Sequence, residues 1–267
     1  MGANIKSLRL RIRSVDSTLH LTRAMGLVAS SKIRRATEGM SRTRAYAAAA
    51  RRVVATLAAS PDCRKSPYMQ KRDGGRTRLL VIAGDRGLAG GYNANIFRLA
   101  REYPDADIYP IGRRACERFG EGSVSSEYYT SRDALALSHR LCADFVEGQY
   151  DRLGIVYTQY VSMLTQTATV AWVLPLSADS GETGRGMIFE PDEESVLAAA
   201  VPEYLAGVLM AAVRESFAAE LAARRNAMDS AGKNAEEMIA DLQLSYNRAR
   251  QGAITQEITE IVAGSGQ

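Results

Sequence analysis

The segment Gly84 to Asn93, GDRGLAGGYN, is the stretch whose residue types most invite chemistry. Glycines between a buried strand and a helix can present backbone N–H groups to a phosphate at the helix N-terminus. The spacing does not fit the dinucleotide fingerprint, and no GK[ST] follows for a nucleoside triphosphate. Asp85, Arg86, Gly87, Gly90 and Gly91 therefore read better as a tight turn that needs positive φ at several positions. Conventional catalysis has less support. His20 lies on a basic segment and His139 on an amphipathic one, neither beside a nucleophile or a set of metal ligands. Asp192, Glu193 and Glu194 stand where a helix begins and suit its dipole better than acid–base work. No catalytic, cofactor-binding or metal-ligating residue is expected, and Cys63, Cys116 and Cys142 read as free thiols.

Charge is divided unevenly along the chain. Residues 1 to 52 carry twelve Lys or Arg against two acids, a net +10, so the remainder carries −6. Arg9, Arg13, Lys32, Arg34, Arg35, Arg42 and Arg44 form a stripe suited to an acidic partner. No aromatic residue is interleaved before Tyr46, so a face that meets acidic protein is a better reading than nucleic acid. A basic coiled coil holding nucleic acid and a nucleotide-binding α/β enzyme are the alternatives.

The elements that position these residues follow from proline placement. All seven prolines lie between Pro61 and Pro202. Their absence elsewhere predicts helices over residues 3 to 57 and 203 to 263. Ile5, Leu8, Ile12, Val15, Leu19 and Thr22 alternate spacings of three and four, the seam of a coiled coil. Met228, Ala235, Met238, Leu242 and Ala249 offer a facing stripe, and Ile254, Ile258 and Ile261 lie on another. Between the helices, strands are expected at 77–83, 108–111, 153–160 and 165–174. Helices are expected at 93–102 and from Ser131, as the capping residue, to 148, followed by a surface loop over 177–195. The fold class is α/β plus a long antiparallel two-helix coiled coil, with a small Rossmann-like α/β domain inserted between N- and C-terminal helices. The expected division is 1–60 for the first shaft helix, 61–197 for the α/β foot and 198–267 for the second shaft helix. No apolar run of eighteen residues and no leader are evident, so no membrane span or export is expected.

Three stretches carry a family likeness: LRIRSVDSTLHLTRAMGLVASSKIRRA near the N-terminus, GDRGLAGGYNANI, and LQLSYNRARQGAITQEITEIVAG near the C-terminus. Together with IGRRACERFG, YDRLGIVYTQY and FEPDEESVL, they resemble the gamma subunit of F-type ATP synthases of the bacterial type. The resemblance implies a central rotor, with partners in the alpha and beta subunits, the epsilon subunit and the c-ring. It implies a peripheral place on the cytoplasmic face of the bacterial membrane, reached through the complex. It also implies that Arg250 and Gln251 form a catch with a loop of beta, that Arg98 and Arg101 face the acidic lever loop of beta, and that Met25 lies near the same contact. Ala89 and Tyr92 stand where the family commonly has cysteine and phenylalanine, and the polar GSGQ end replaces small apolar residues.

Overall fold

The computed structural model describes residues 2–72, 74–123, 125–177 and 189–265. In chain order the elements are α1 (Gly2–Ala58), two short 3-10 turns (Asp62–Lys65 and Pro67–Met69), β1 (Thr77–Ile82), α2 (Tyr92–Ala100), β2 (Asp107–Ile111), α3 (Arg113–Phe119), α4 (Ser131–Val146), β3 (Arg152–Tyr160), β4 (Gln166–Leu174) and α5 (Glu193–Ser265). By proximity the chain divides into two units, Met1–Ala29 with Arg224–Gln267, and Ser30–Ala223.

The first unit is an antiparallel helix pair. Ascending positions on α1 meet descending ones on α5: Arg9 donates to the Tyr246 hydroxyl at 2.9 Å, Gly232 lies against Leu19 and Thr22, and Gly26 faces Met228. On the part of α1 that belongs to this unit, residues 5 to 29, the least exposed residues are Ile5, Leu8, Ile12, Val15, Leu19, Thr22, Met25, Gly26 and Ala29. Apart from Met25 these form two interleaved seven-residue repeats, a period that winds a helix pair into a left-handed supercoil. On α5 the matching repeats are Met228, Ala235, Leu242, Ala249 and Gly232, Ile239, Tyr246, Ala253. Met238, expected on this seam, is 44% exposed instead, because the alternation of four and three from Met228 lands on Ile239. Ile254, Ile258 and Ile261 form an exposed stripe near the end of α5. Of the GSGQ end, Gly264 and Ser265 are in α5, while Gly266 and Gln267 lie outside the described residues.

Leu19 is 6% exposed and packs against Gly232, which has no side chain to refill the space its loss would leave. Leu19→Ala is expected to destabilise this helix pair by about 2–3 kcal/mol. The check is hydrogen exchange: amides of the pair should lose protection, and unchanged protection would mean that Leu19 is not part of a packed seam.

The second unit is built on a four-stranded sheet of order β2-β1-β3-β4, with β1 parallel to β2 and to β3 and β4 antiparallel to β3. Alternation along β1 sends Leu79 and Val81 to one face, where they meet Ile96, Ala100, Ala115 and Val156. Leu80 and Ile82 turn to the other face, with Leu137, Leu141 and Phe145 of α4 and with Leu57, Leu197, Val201, Leu205 and Leu209 of the long helices. A strand buried on both faces reads as a continuous apolar run, as residues 79 to 82 of β1, LLVI, do.

Three local expectations need correction. Thr130, not Ser131, caps α4: its hydroxyl accepts from Asp133 N at 3.2 Å while Asp133 accepts from Thr130 N at 2.9 Å, a reciprocal capping box. The final helix begins at Glu193, ahead of its expected start at 203, and Pro202 lies inside it. Proline costs a helix interior about 3 kcal/mol, and burial of Leu197, Val201 and Leu205 at 0% exposure offsets that cost. The helix start also shortens the 177–195 loop, of which 178–188 lie outside the described residues. A stretch of α5 is apolar enough to pass for a membrane span by composition, but 67% of it is buried inside the fold.

Candidate functional site

The Gly84 to Asn93 turn leaves the C-terminal end of β1, between β2 and β3, the switch point at which open α/β sheets hold ligands. Here the chain's own side chains use the donors. Asn93 Oδ1 accepts from Gly84 N at 2.9 Å. The Asp85 carboxylate accepts from Arg113 N at the start of α3 at 3.1 Å, from Ser126 N at 2.9 Å, from Glu127 N at 3.0 Å and from Ser125 Oγ at 2.7 Å. The Asp85 carboxylate thus takes up donors at the start of α3 and in the 125–127 segment. Positive φ is confined to Leu88 at 60° and Gly90 at 57°, whereas Gly91, at −80°, is the N-cap of α2. The turn therefore needs its left-handed backbone at one leucine and one glycine.

Burial alone would raise the Asp85 pKa, but the bonds from Ser126, Glu127, Ser125 and Arg113 outweigh it and hold the carboxyl below its ordinary value. A depressed folded-state pKa stabilises above the unfolded value, and that stability is lost as pH falls through the folded one. Asp85→Ala strands several amides and is expected to cost about 2–3 kcal/mol at neutral pH. Urea titration checks this: the gap between the two proteins should close as the pH drops below about 4, and a pH-independent gap would remove the carboxylate from the explanation.

From this clasp the network reaches both long helices within the second unit. Glu127 Oε1 pairs with Lys32 Nζ of α1 at 2.8 Å, and Oε2 with Arg86 at 3.5 Å. Arg214 of α5 donates to the carbonyls of Glu127 at 3.2 Å and Tyr129 at 2.9 Å. Nearby on the same two helices, Arg44 meets Glu215 at 2.5 Å, and Glu215 also accepts from Tyr160 N at 3.0 Å. Glu127 and Arg214 carry no periodic or motif signal in the sequence, so only their partners identify them.

The other candidate residues fall in separate places. Arg98 and Arg101 are exposed at the end of α2, three apart on one face, with Arg98 held by Asn95 Oδ1 at 3.1 Å. Met25 is half-buried in the helix pair, one residue from the Gly26 contact with Met228. Arg250 and Gln251 are exposed on α5, about 33 Å along the helix from Met228 at 1.5 Å per residue. The helix pair therefore does not bring Met25 and Arg250 together.

Residues weighed for chemistry are engaged otherwise or stand in solvent. His20 is exposed 3.8 Å from Asp16, and His139 is exposed on α4. Asp192 accepts from Ser195 N at 2.8 Å, capping α5. Among the described residues no three His, Cys, Asp or Glu side chains gather as a metal site.

Comparison with known proteins adds a full-length likeness. A family model described as ATP synthase matches residues 4–266. An ATP synthase gamma chain of Ruminococcus albus is 39% identical, with 98% of each chain covered, and one of Moorella thermoacetica is 38% identical over the same shares. In solved structures, a chain of the Euglena gracilis mitochondrial ATP synthase, in an assembly of OSCP, F1 and c-ring, superposes with a TM-score of 0.67. It is 17% identical and covers 98% of this chain and 94% of that one, a likeness of fold.

Proposed function

Because the chain belongs to the ATP synthase gamma chain family, we propose that it is the central rotor of an F-type ATP synthase, coupling ion-driven rotation to ATP synthesis and hydrolysis in a surrounding ring of alpha and beta subunits. The observation that carries the reading is the match to gamma chains over 98% of the chain, on a fold whose first unit is an antiparallel helix pair. A torque-bearing element has to resist bending and twisting, and two helices locked by a continuous seam do so better than one.

In this reading segments 1–60 and 198–267 act as the shaft and 61–197 as the foot, which meets the epsilon subunit and the c-ring. The chain has no active site of its own, and nucleotide is held by the subunits around it. Its place is the cytoplasmic face of a bacterial membrane, through the complex and not by a span of its own. Arg250 and Gln251 form the catch with a beta loop, Arg98 and Arg101 face the acidic lever loop of beta, and Met25 lies near the same contact. The solvent exposure of the four polar residues supports these roles, since each is available to a partner.

The direct test mixes the purified chain with alpha and beta subunits of a bacterial relative. Co-purification and restored ATP hydrolysis are expected. Failure of both would overturn the rotor reading.

A further inference from the structure

Between Leu205 and Ala219, α5 carries polar side chains only at Arg214, Glu215 and Ser216. Successive helical residues project about 100° apart, so these three reach different neighbours in the second unit. Arg214 takes the 127–129 segment, donating to the carbonyls of Glu127 and Tyr129. Glu215 faces α1 and the end of β3: its two carboxylate oxygens accept from Arg44 Nε at 3.2 Å and Nη2 at 2.5 Å, and one of them also accepts from Tyr160 N at 3.0 Å. Arg44 Nη2 donates to Tyr160 O at 3.3 Å, which closes the knot on the strand. Ser216 reaches β3 and α2: its Oγ accepts from Thr158 N at 3.1 Å, and its carbonyl accepts from the Tyr92 hydroxyl at 3.0 Å. Glu215 is 5% exposed and Ser216 1%, so these bonds lie away from competing water.

The rest of this stretch is poorly shaped to resist twisting. Ala206, Gly207, Ala211, Ala212, Ala218 and Ala219 present low ridges for neighbours to interlock with, and apolar burial is non-directional. Hydrogen bonds, by contrast, hold only within narrow distances and angles. We propose that Arg214, Glu215 and Ser216 form a key that fixes the angle of α5 within the α/β unit, so that torque on the long helices passes to the sheet and is not lost as twist. They are positioning residues, and none of them needs to touch nucleotide or another subunit. The inference rests on the rotor reading and adds to it the place in this chain where force passes from helix to sheet.

The experiment uses the full chain assembled with alpha and beta subunits of a bacterial relative, those subunits being fixed to a surface. A bead is attached to the α/β unit at Arg118→Cys, an exposed site on α3, with Cys116→Ser, since Cys63 and Cys142 are buried. The angular spread of the bead during each pause in ATP-driven rotation reports the stiffness of the path from the helices to the sheet. Glu215→Gln with Ser216→Ala should widen the squared spread roughly twofold, while hydrolysis without a bead stays near that of the parent chain. Asp144→Asn weakens an ion pair with Arg78 inside the α/β unit and supplies the comparison: it should leave the spread unchanged. An unchanged spread in the double variant would overturn the proposal, as would a matching loss of bead-free hydrolysis. So would equal widening by Asp144→Asn, which a general softening of the fold predicts. A double variant that does not assemble is replaced by Ser216→Ala alone, which keeps the Arg44 pair. A smaller widening then supports the proposal, and no widening, or renewed failure to assemble, overturns it. If the parent chain itself does not assemble, the rotor reading fails and this inference falls with it.

Discussion

Replacing Arg250 by alanine is expected to lower ATP turnover of the reconstituted complex by roughly tenfold while leaving the isolated chain as stable as before. Arg250 is exposed, and surface substitutions of this kind shift stability by no more than about 0.5 kcal/mol. Its proposed work is done against another subunit, where truncating one member of a hydrogen-bonded charge pair costs about 2–5 kcal/mol. Steady-state hydrolysis and thermal melting, measured on the same preparations, separate the two effects. If turnover is unchanged, Arg250 is not part of a catch. If melting falls along with turnover, the loss is one of folding, and the contact assignment has no support from it.

A second large effect is expected at Gly112, between β2 and α3. Its φ is +99°, and a Cβ there would lie 2.1 Å from the Ala83 carbonyl oxygen, a backbone atom that cannot swing aside. Gly112 N also donates to Ser123 O at 2.7 Å. Gly112→Ala should therefore combine backbone strain with a displaced strand end, at a cost of about 3–5 kcal/mol. Because Asp85 binds the very next amide, Arg113 N, the variant should also weaken the clasp. Gly39→Ala supplies the contrast: a helical glycine over open space, it should stabilise the isolated chain by about 0.5–1 kcal/mol. Equal responses at the two glycines in urea titrations would refute this account of what each one does.

These glycines also show where the amino-acid pattern stops being informative. The α1 seam was readable because Ile5, Leu8, Ile12, Val15 and Leu19 are large and apolar, and the structure buries those positions more than their neighbours. On α5 the corresponding seam uses Gly232 and Ala235, whose small side chains carry little apolar signal, so Met238 looked like the better candidate than Ile239. The strands were legible for the same reason as α1. Pro202 misled, because a rule about isolated helices was overridden by packing on the sheet. Asp85 was recognised as part of a turn, but its partners at Arg113, Ser125, Ser126 and Glu127 lie 28 to 42 residues away. No local pattern announces such a cluster. Arg98, Arg101 and Arg250 look like ordinary surface arginines, and only the likeness to a family gave them a role.

The interleaved seven-residue repeats of the helix pair have one more consequence. They commit two positions in every seven to the partner helix and leave the others facing outward. Inner and outer faces can then be rewritten separately: substitutions outside can retune charge, grip or slip against neighbouring proteins without disturbing the pairing. Few architectures let such a long surface change its neighbours while keeping its own shape, and a chain built this way can diverge widely in its contacts and still be the same object.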